Sequence, residues 1–210
     1  MLVLASQSPR RSELLRQAGV PFIVRIPGIV ESRLGAEPPP DYVRRLAIEK
    51  ARAAAVDPAE FVLAADTVVV ADGEVLEKPR SAEDAARMLR LLSGRAHTVL
   101  TGVCLLHAGV ERAAVEATRV VFAPMTDQEV LDYTASGEPM DKAGAYAIQG
   151  RASKFIERIE GSYFNVVGLP VSLVYRLLKA ADCGDRHAVR GSPIQSAKTS
   201  DRVCMRICVD

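Results

Sequence analysis

Residues 61–70 read FVLAADTVVV, an apolar and β-branched run broken only at Asp66 and Thr67. Such a run predicts a buried strand. Asp72-Gly73 follows it and signals a tight hairpin turn. The strand's alternation puts Asp66 on one face with Val62, Ala64, Val68 and Val70. A carboxylate among those side chains is costly unless it is paired or bound to a metal. Two readings follow: a functional acid, or an aspartate satisfied by backbone donors or an arginine.

Around that strand, helical and extended patterns alternate. Leu2 to Ala5 predicts a buried strand. Ser8-Pro9 predicts a helix start, with Ser at the N-cap and Pro in the first turn. That helix carries Leu14, Leu15 and Ala18 and ends at Gly19. Pro21 to Ile26 predicts a strand, and residues 27–40, with three consecutive prolines, predict a loop. Val43, Leu46, Ala47, Ala51 and Ala54 define a helix over Asp41 to Ala55. Ser81 with Asp84, and Thr126 with Glu129, mark two further helix starts. Between them, His97 to Leu106 and Val110 to Phe122 predict two strands around Ala108-Gly109. Lys154 to Ile159 predicts a last strand and Pro170 to Ala181 a last helix. Hairpins interrupt the alternation, so the expected class is α/β with a mixed sheet. The expected folded unit is residues 1–181. Residues 182–210 have no Phe, Tyr or Trp and predict a poorly ordered tail, with Val203 to Val209 as an alternative short strand.

Composition removes several classes. Lys and Arg total 27 against 26 Asp and Glu, a net charge of +1. That balance speaks against nucleic acid as a partner. No apolar run is long enough to span a membrane. The N-terminal apolar run precedes Arg10 and Arg11, the reverse of a signal peptide's order, so a cytoplasmic location is expected. The four cysteines lack the ligand pairs of a structural zinc site. The Gly-rich phosphate loop, the dinucleotide fingerprint, the G-x-S-x-G elbow and H-E-x-x-H are all absent.

Other residues are poorly placed for stability alone. Lys50 falls seven residues after Val43, near its helix's apolar stripe. It either snorkels to water or reaches an anion in a cleft. Arg10 and Arg11 oppose the helix dipole in a first turn; either an anion at that N-terminus justifies them or they are two solvated arginines. Glu31 follows a Pro-Gly loop, and Lys78 sits in Glu77-Lys78-Pro79. Gln149 ends a glycine-bounded loop over residues 144–150, where an amide offers both a donor and an acceptor to a base edge.

The segments LASQSPRRSELL, YVRRLAIEKA, AADTVV, EVLEKP, LSGRAH, SGEPMDKAGAYAIQG and GSYFNVVGLP resemble, in order, the Maf family of nucleoside triphosphate pyrophosphatases. The resemblance covers about Leu2 to Lys179. It implies an inosine-triphosphatase-like (Maf/Ham1) mixed twisted sheet with flanking helices, two lobes around a cleft, and a homodimer. It implies hydrolysis of a nucleoside triphosphate to the monophosphate and pyrophosphate, with Mg²⁺ or Mn²⁺. Asp66 matches the family's general base. Ser6, Arg11, Glu31, Lys50 and Lys78 match its polar cleft positions; if a metal is needed, the carboxylates of Glu31 and Asp66 are the expected pair to hold it. Arg10, Thr67 and Gln149 match positions tied to substrate choice. The AYAIQG segment resembles the branch acting on dTTP and UTP; the 7-methyl-GTP branch differs there. Gly28 departs from the family, standing where an aspartate is frequent. Asp66 as base, as metal ligand, or as both are alternatives left open. So is a regulator of septum formation that binds nucleotides without needing catalysis, and so, more weakly, is a broad phosphatase.

Overall fold

In a computed structural model the described residues run from 1 to 188. In chain order the strands are β1 (Leu2–Ala5), β2 (Phe22–Val24), β3 (Phe61–Ala71), β4 (Glu74–Leu76), β5 (Ala96–His107), β6 (Val110–Phe122) and β7 (Ile156–Glu160). The helices are α1 (Pro9–Gln17), α2 (Pro39–Ala54), α3 (Ala82–Leu92), α4 (Asp127–Ala135), α5 (Tyr163–Val167) and α6 (Val171–Ala188).

One mixed sheet runs β2-β1-β3-β5-β6-β7, with β4 folded back on β3. β1 lies parallel to both β2 and β3, whereas β3, β5, β6 and β7 pair antiparallel. The β3–β4 turn has positive φ at both Asp72 (48°) and Gly73 (80°). Ala108 (49°) and Gly109 (76°) repeat that arrangement between β5 and β6. Two left-handed central residues match the right-handed twist of the flanking strands.

A large apolar cluster joins one face of the sheet to α1, α3, α4 and α6. The other face is covered by α2, against Val3, Ala5, Val62, Ala64, Val68 and Leu100. Asp66 therefore lies on the α2 face, as strand alternation predicts. Gly102 is its register partner on β5. A Cβ on Gly102 would stand 2.2 Å from the Val43 carbonyl oxygen, so only glycine lets α2 lie this close.

Several boundaries differ from expectation for physical reasons. α2 begins at Pro39, because proline is tolerated in a first turn, where no intrahelical donor is needed. Ser8 occupies the α1 N-cap position, but its side chain makes no cap bond; its amide donates to Ser6 Oγ instead. Ser81 and Thr126 cap as predicted, Thr126 in a full capping box with Glu129. The segment before β7 is a 3-10 turn over Arg151–Phe155, so the strand starts later than Lys154. α5, capped by Ser162, is a helix the periodicity does not reveal, being too short to repeat a stripe. The last helix continues past Ala181 to Ala188. The rest of the predicted tail, with the alternative strand over 203–209, lies outside the described residues.

Candidate active site

The end of β1, the start of α1, the middle of β3 and the loop over residues 141–149 enclose a cleft of about 530 Å³. Ser6, Arg10, Arg11, Glu31, Lys50, Asp66, Thr67, Lys78 and Gln149 all line it. These nine residues are thus in one place, although they come from across the chain.

Asp66 and Lys50 form its buried centre. Lys50 Nζ donates to Asp66 Oδ1 at 2.7 Å and approaches Glu31 Oε2 at 2.8 Å. Lys50 and Asp66 side chains are 7% and 9% exposed, whereas Glu31 is 50% exposed. The lysine therefore does not snorkel; its ammonium is turned inward between two carboxylates. Burial pushes the Asp66 carboxyl above the ordinary aspartate value, against the opposing pull of Lys50 and Arg11. A carboxylate with a raised pKa is better suited to accept a proton than an ordinary one.

Arg11 serves two purposes. Its guanidinium donates to the carbonyls of Gly168 (2.8 Å) and Ala65 (2.8 Å) and to Ser6 Oγ (3.2 Å) and Thr67 Oγ1 (3.1 Å). Four of the five donors an arginine carries are thus spent on protein oxygens. Thr67 Oγ1 in turn lies 3.0 Å from Thr101 Oγ1. Arg11 ties α1, β3 and the end of α5 together at the cleft floor, while its charge faces Asp66 and Glu31. Arg10 is held by Asp141 across the mouth, at 3.0 Å. The two cations in the first turn of α1 are therefore balanced by protein acceptors. Lys78 is exposed on the cleft wall and has no ion-pair partner among the described residues.

Glu31 and Asp66 offer hard oxygen donors on either side of Lys50. Among the described residues no group of three or more His, Cys, Asp or Glu could hold a metal ion. Mg²⁺ commonly takes only one or two carboxylates, completing its shell with water and substrate phosphate, so this donor set suits it.

Sequence reasoning missed part of the lining. Tyr42, Glu77, Asp141, Lys142 and Tyr146 also face the cleft. Tyr42 donates to Glu77 at 2.5 Å, and Tyr146 Oη is 2.9 Å from His97 Nε2. Burial lowers His97 to about 4, so it is a neutral prop for Tyr146. The signal available for these residues was adjacency: Glu77 precedes Lys78, and Asp141, Lys142 and Tyr146 belong to the segment that contains Gln149.

Residues 1–181 match the family model described as Maf-like protein. The chain belongs to the Maf family. Among its relatives is a dTTP/UTP pyrophosphatase of Koribacter versatilis, 55% identical over 181 residues, covering 86% of this chain and 94% of that protein. Another dTTP/UTP pyrophosphatase, from Anaeromyxobacter dehalogenans (strain 2CP-C), is 57% identical over 184 residues, covering 86% and 93%. Among solved structures, the Staphylococcus aureus Ham1 protein superposes with a TM-score of 0.50 at 14% identity, covering 86% of this chain and 98% of that one. That likeness is one of fold, and it agrees with the mixed sheet and flanking helices of the inosine-triphosphatase-like class. No helix among the described residues is long and apolar enough to cross a membrane.

Proposed function

We propose that this chain is a nucleoside triphosphate pyrophosphatase that hydrolyses dTTP and UTP and so removes unwanted nucleotides. Water adds to the α-phosphorus, the α–β phosphoanhydride breaks, and the nucleoside monophosphate and pyrophosphate leave. The observation that carries the reading is the buried Asp66–Lys50 pair opening into a cleft lined by further cations. Relatives that bear the dTTP/UTP pyrophosphatase name over nearly their whole length support the choice of substrate.

In this reading Asp66 accepts the proton of the attacking water. Lys50, Lys78 and Arg11 stabilise negative charge that grows on the phosphates, and Ser6 keeps Arg11 in place. Glu31 and Asp66 would hold a Mg²⁺ or Mn²⁺ ion, which neutralises the triphosphate when bound. Arg10, Thr67 and Gln149 select the nucleotide, Gln149 through an amide able to match the mixed donor and acceptor edge of thymine or uracil. A homodimer, on the strength of the family resemblance, and a cytoplasmic location complete the proposal.

The test is a panel of nucleoside triphosphates with and without Mg²⁺, scored for the monophosphate and pyrophosphate. Pyrophosphate release from dTTP and UTP, lost on chelation and restored by Mg²⁺, is expected. Orthophosphate as the product would indicate a broad phosphatase. Comparable turnover of 7-methyl-GTP would refute the substrate assignment.

A further inference from the structure

Gln149 is exposed at the cleft, on a turn whose neighbour Ile148 is buried in the main core. The turn is gripped from behind by a chain of hydrogen bonds outside the cleft chemistry. The Ala147 amide donates to Tyr133 Oη at 3.1 Å. Tyr133 Oη donates to Glu138 Oε1 at 2.8 Å. The Arg151 amide donates to the same carboxylate, at 3.0 Å to Oε1 and 3.2 Å to Oε2. Both flanks of Gln149 are thereby fastened to one tyrosine–glutamate pair. A third fastening precedes them, where Tyr146 meets the buried His97.

Gly150 supplies an independent observation. Its backbone is extended, at φ −110°, so no left-handed conformation calls for glycine. A Cβ there would instead stand 2.2 Å from Glu138 Oε1 and 2.5 Å from its carboxyl carbon. Glycine at this position makes room for the carboxylate. Burial and the neighbouring Glu138 raise the Tyr133 phenol, which keeps its proton available to donate.

We propose that Tyr133 and Glu138 are positioning residues for base selection: they hold the 147–151 turn so that Gln149 meets the base edge in one orientation. This rests on Gln149 as the base-selecting residue. Neither residue is placed to touch the reacting phosphates, so the pair acts on discrimination and leaves the cleavage step alone.

UTP and CTP are the decisive substrates, because their bases differ where a keto group replaces an amino group and a ring N–H replaces an acceptor. For Tyr133→Phe and Glu138→Ala, KM for UTP is expected to rise about tenfold with kcat within about threefold of wild type, while CTP kinetics stay put. The double variant should be no worse than either single one, since both break one chain of bonds. Gly150→Ala, which displaces the carboxylate without removing either side chain, should reproduce the selective loss. Thermal unfolding of each variant identifies any that fail to fold, and Gly150→Ala then decides. Parallel falls for UTP and CTP, or variants that retain the wild-type preference, overturn the proposal alone. A wild-type enzyme with no preference for UTP over CTP overturns it together with the assignment of Gln149.

Discussion

Lys50 Nζ sits 2.7 Å from Asp66 Oδ1, two buried and oppositely charged groups on elements that face each other across α2 and the sheet. The pair satisfies each charge in the resting protein and leaves both at the edge of a cleft. Glu31 completes it from a loop at 2.8 Å, half exposed to solvent. A buried carboxylate that would otherwise be a defect is in this way stored beside its counter-ion.

Replacing Asp66 with Asn keeps the shape and removes the base. Turnover of dTTP is expected to fall about a hundredfold or more. A value of kcat within threefold of wild type would mean that another group takes the proton. Complementation of a cell-division defect by the same variant would favour the regulatory reading.

The pH profile carries the mark of the Asp66 environment. Burial raises its folded pKa above the unfolded value, so the native state takes up the proton at the higher pH. Stability from this group is complete below the unfolded value and is lost as pH rises through the folded one. Activity has the opposite sense, since the ionised form is the base. The acid limb of kcat/KM should therefore have its midpoint above the ordinary aspartate value of about 3.9. A midpoint at or below that value in the pH-rate profile would remove Asp66 from the role.

Lys50→Met leaves the Asp66 carboxylate buried without its closest cation. At neutral pH the loss of stability is expected to be about 3–5 kcal/mol. The deficit should shrink at acid pH, where Asp66 is protonated in the variant. Denaturant melts at the two pH values measure this; an equal deficit at both would show that the pairing energy lies elsewhere.

Arg11→Lys retains a positive charge but not the fork of donors. A single ammonium cannot reach the Gly168 and Ala65 carbonyls together with the Thr67 hydroxyl. Each buried acceptor left unpaired costs about 1–3 kcal/mol. A lower melting temperature together with weaker dTTP binding is expected. A variant that keeps wild-type stability would show that Arg11 acts through charge alone.

Gly102→Ala probes the contact behind the site. The added methyl would meet the Val43 carbonyl at 2.2 Å, and backbone cannot rotate aside as a side chain can. Lifting α2 should cost about 1–3 kcal/mol and separate Lys50 from Asp66. Calorimetry and kcat for dTTP should fall together; unchanged turnover in a destabilised variant would show that the pair tolerates the shift.

Much of this protein is written in local pattern. The strand over residues 61–70, the Ser81 and Thr126 caps and both tight hairpin turns depend on neighbours within a few positions, and they stand where periodicity and turn chemistry put them. The oddness of Asp66 was equally visible, because a carboxylate in an apolar strand contradicts its surroundings wherever the strand lies. The use of each charge depended on the tertiary structure. Whether Lys50 reached water or turned inward rested on how close α2 lies to the sheet, which Gly102 on a distant strand decides. Arg11 found its acceptors on segments up to 157 positions away. Glu138 acquired its task only when Gly150 folded back against it. Short-range sterics and hydrogen bonding specify elements, but an ionic partner is chosen by the sheet order that brings remote segments together.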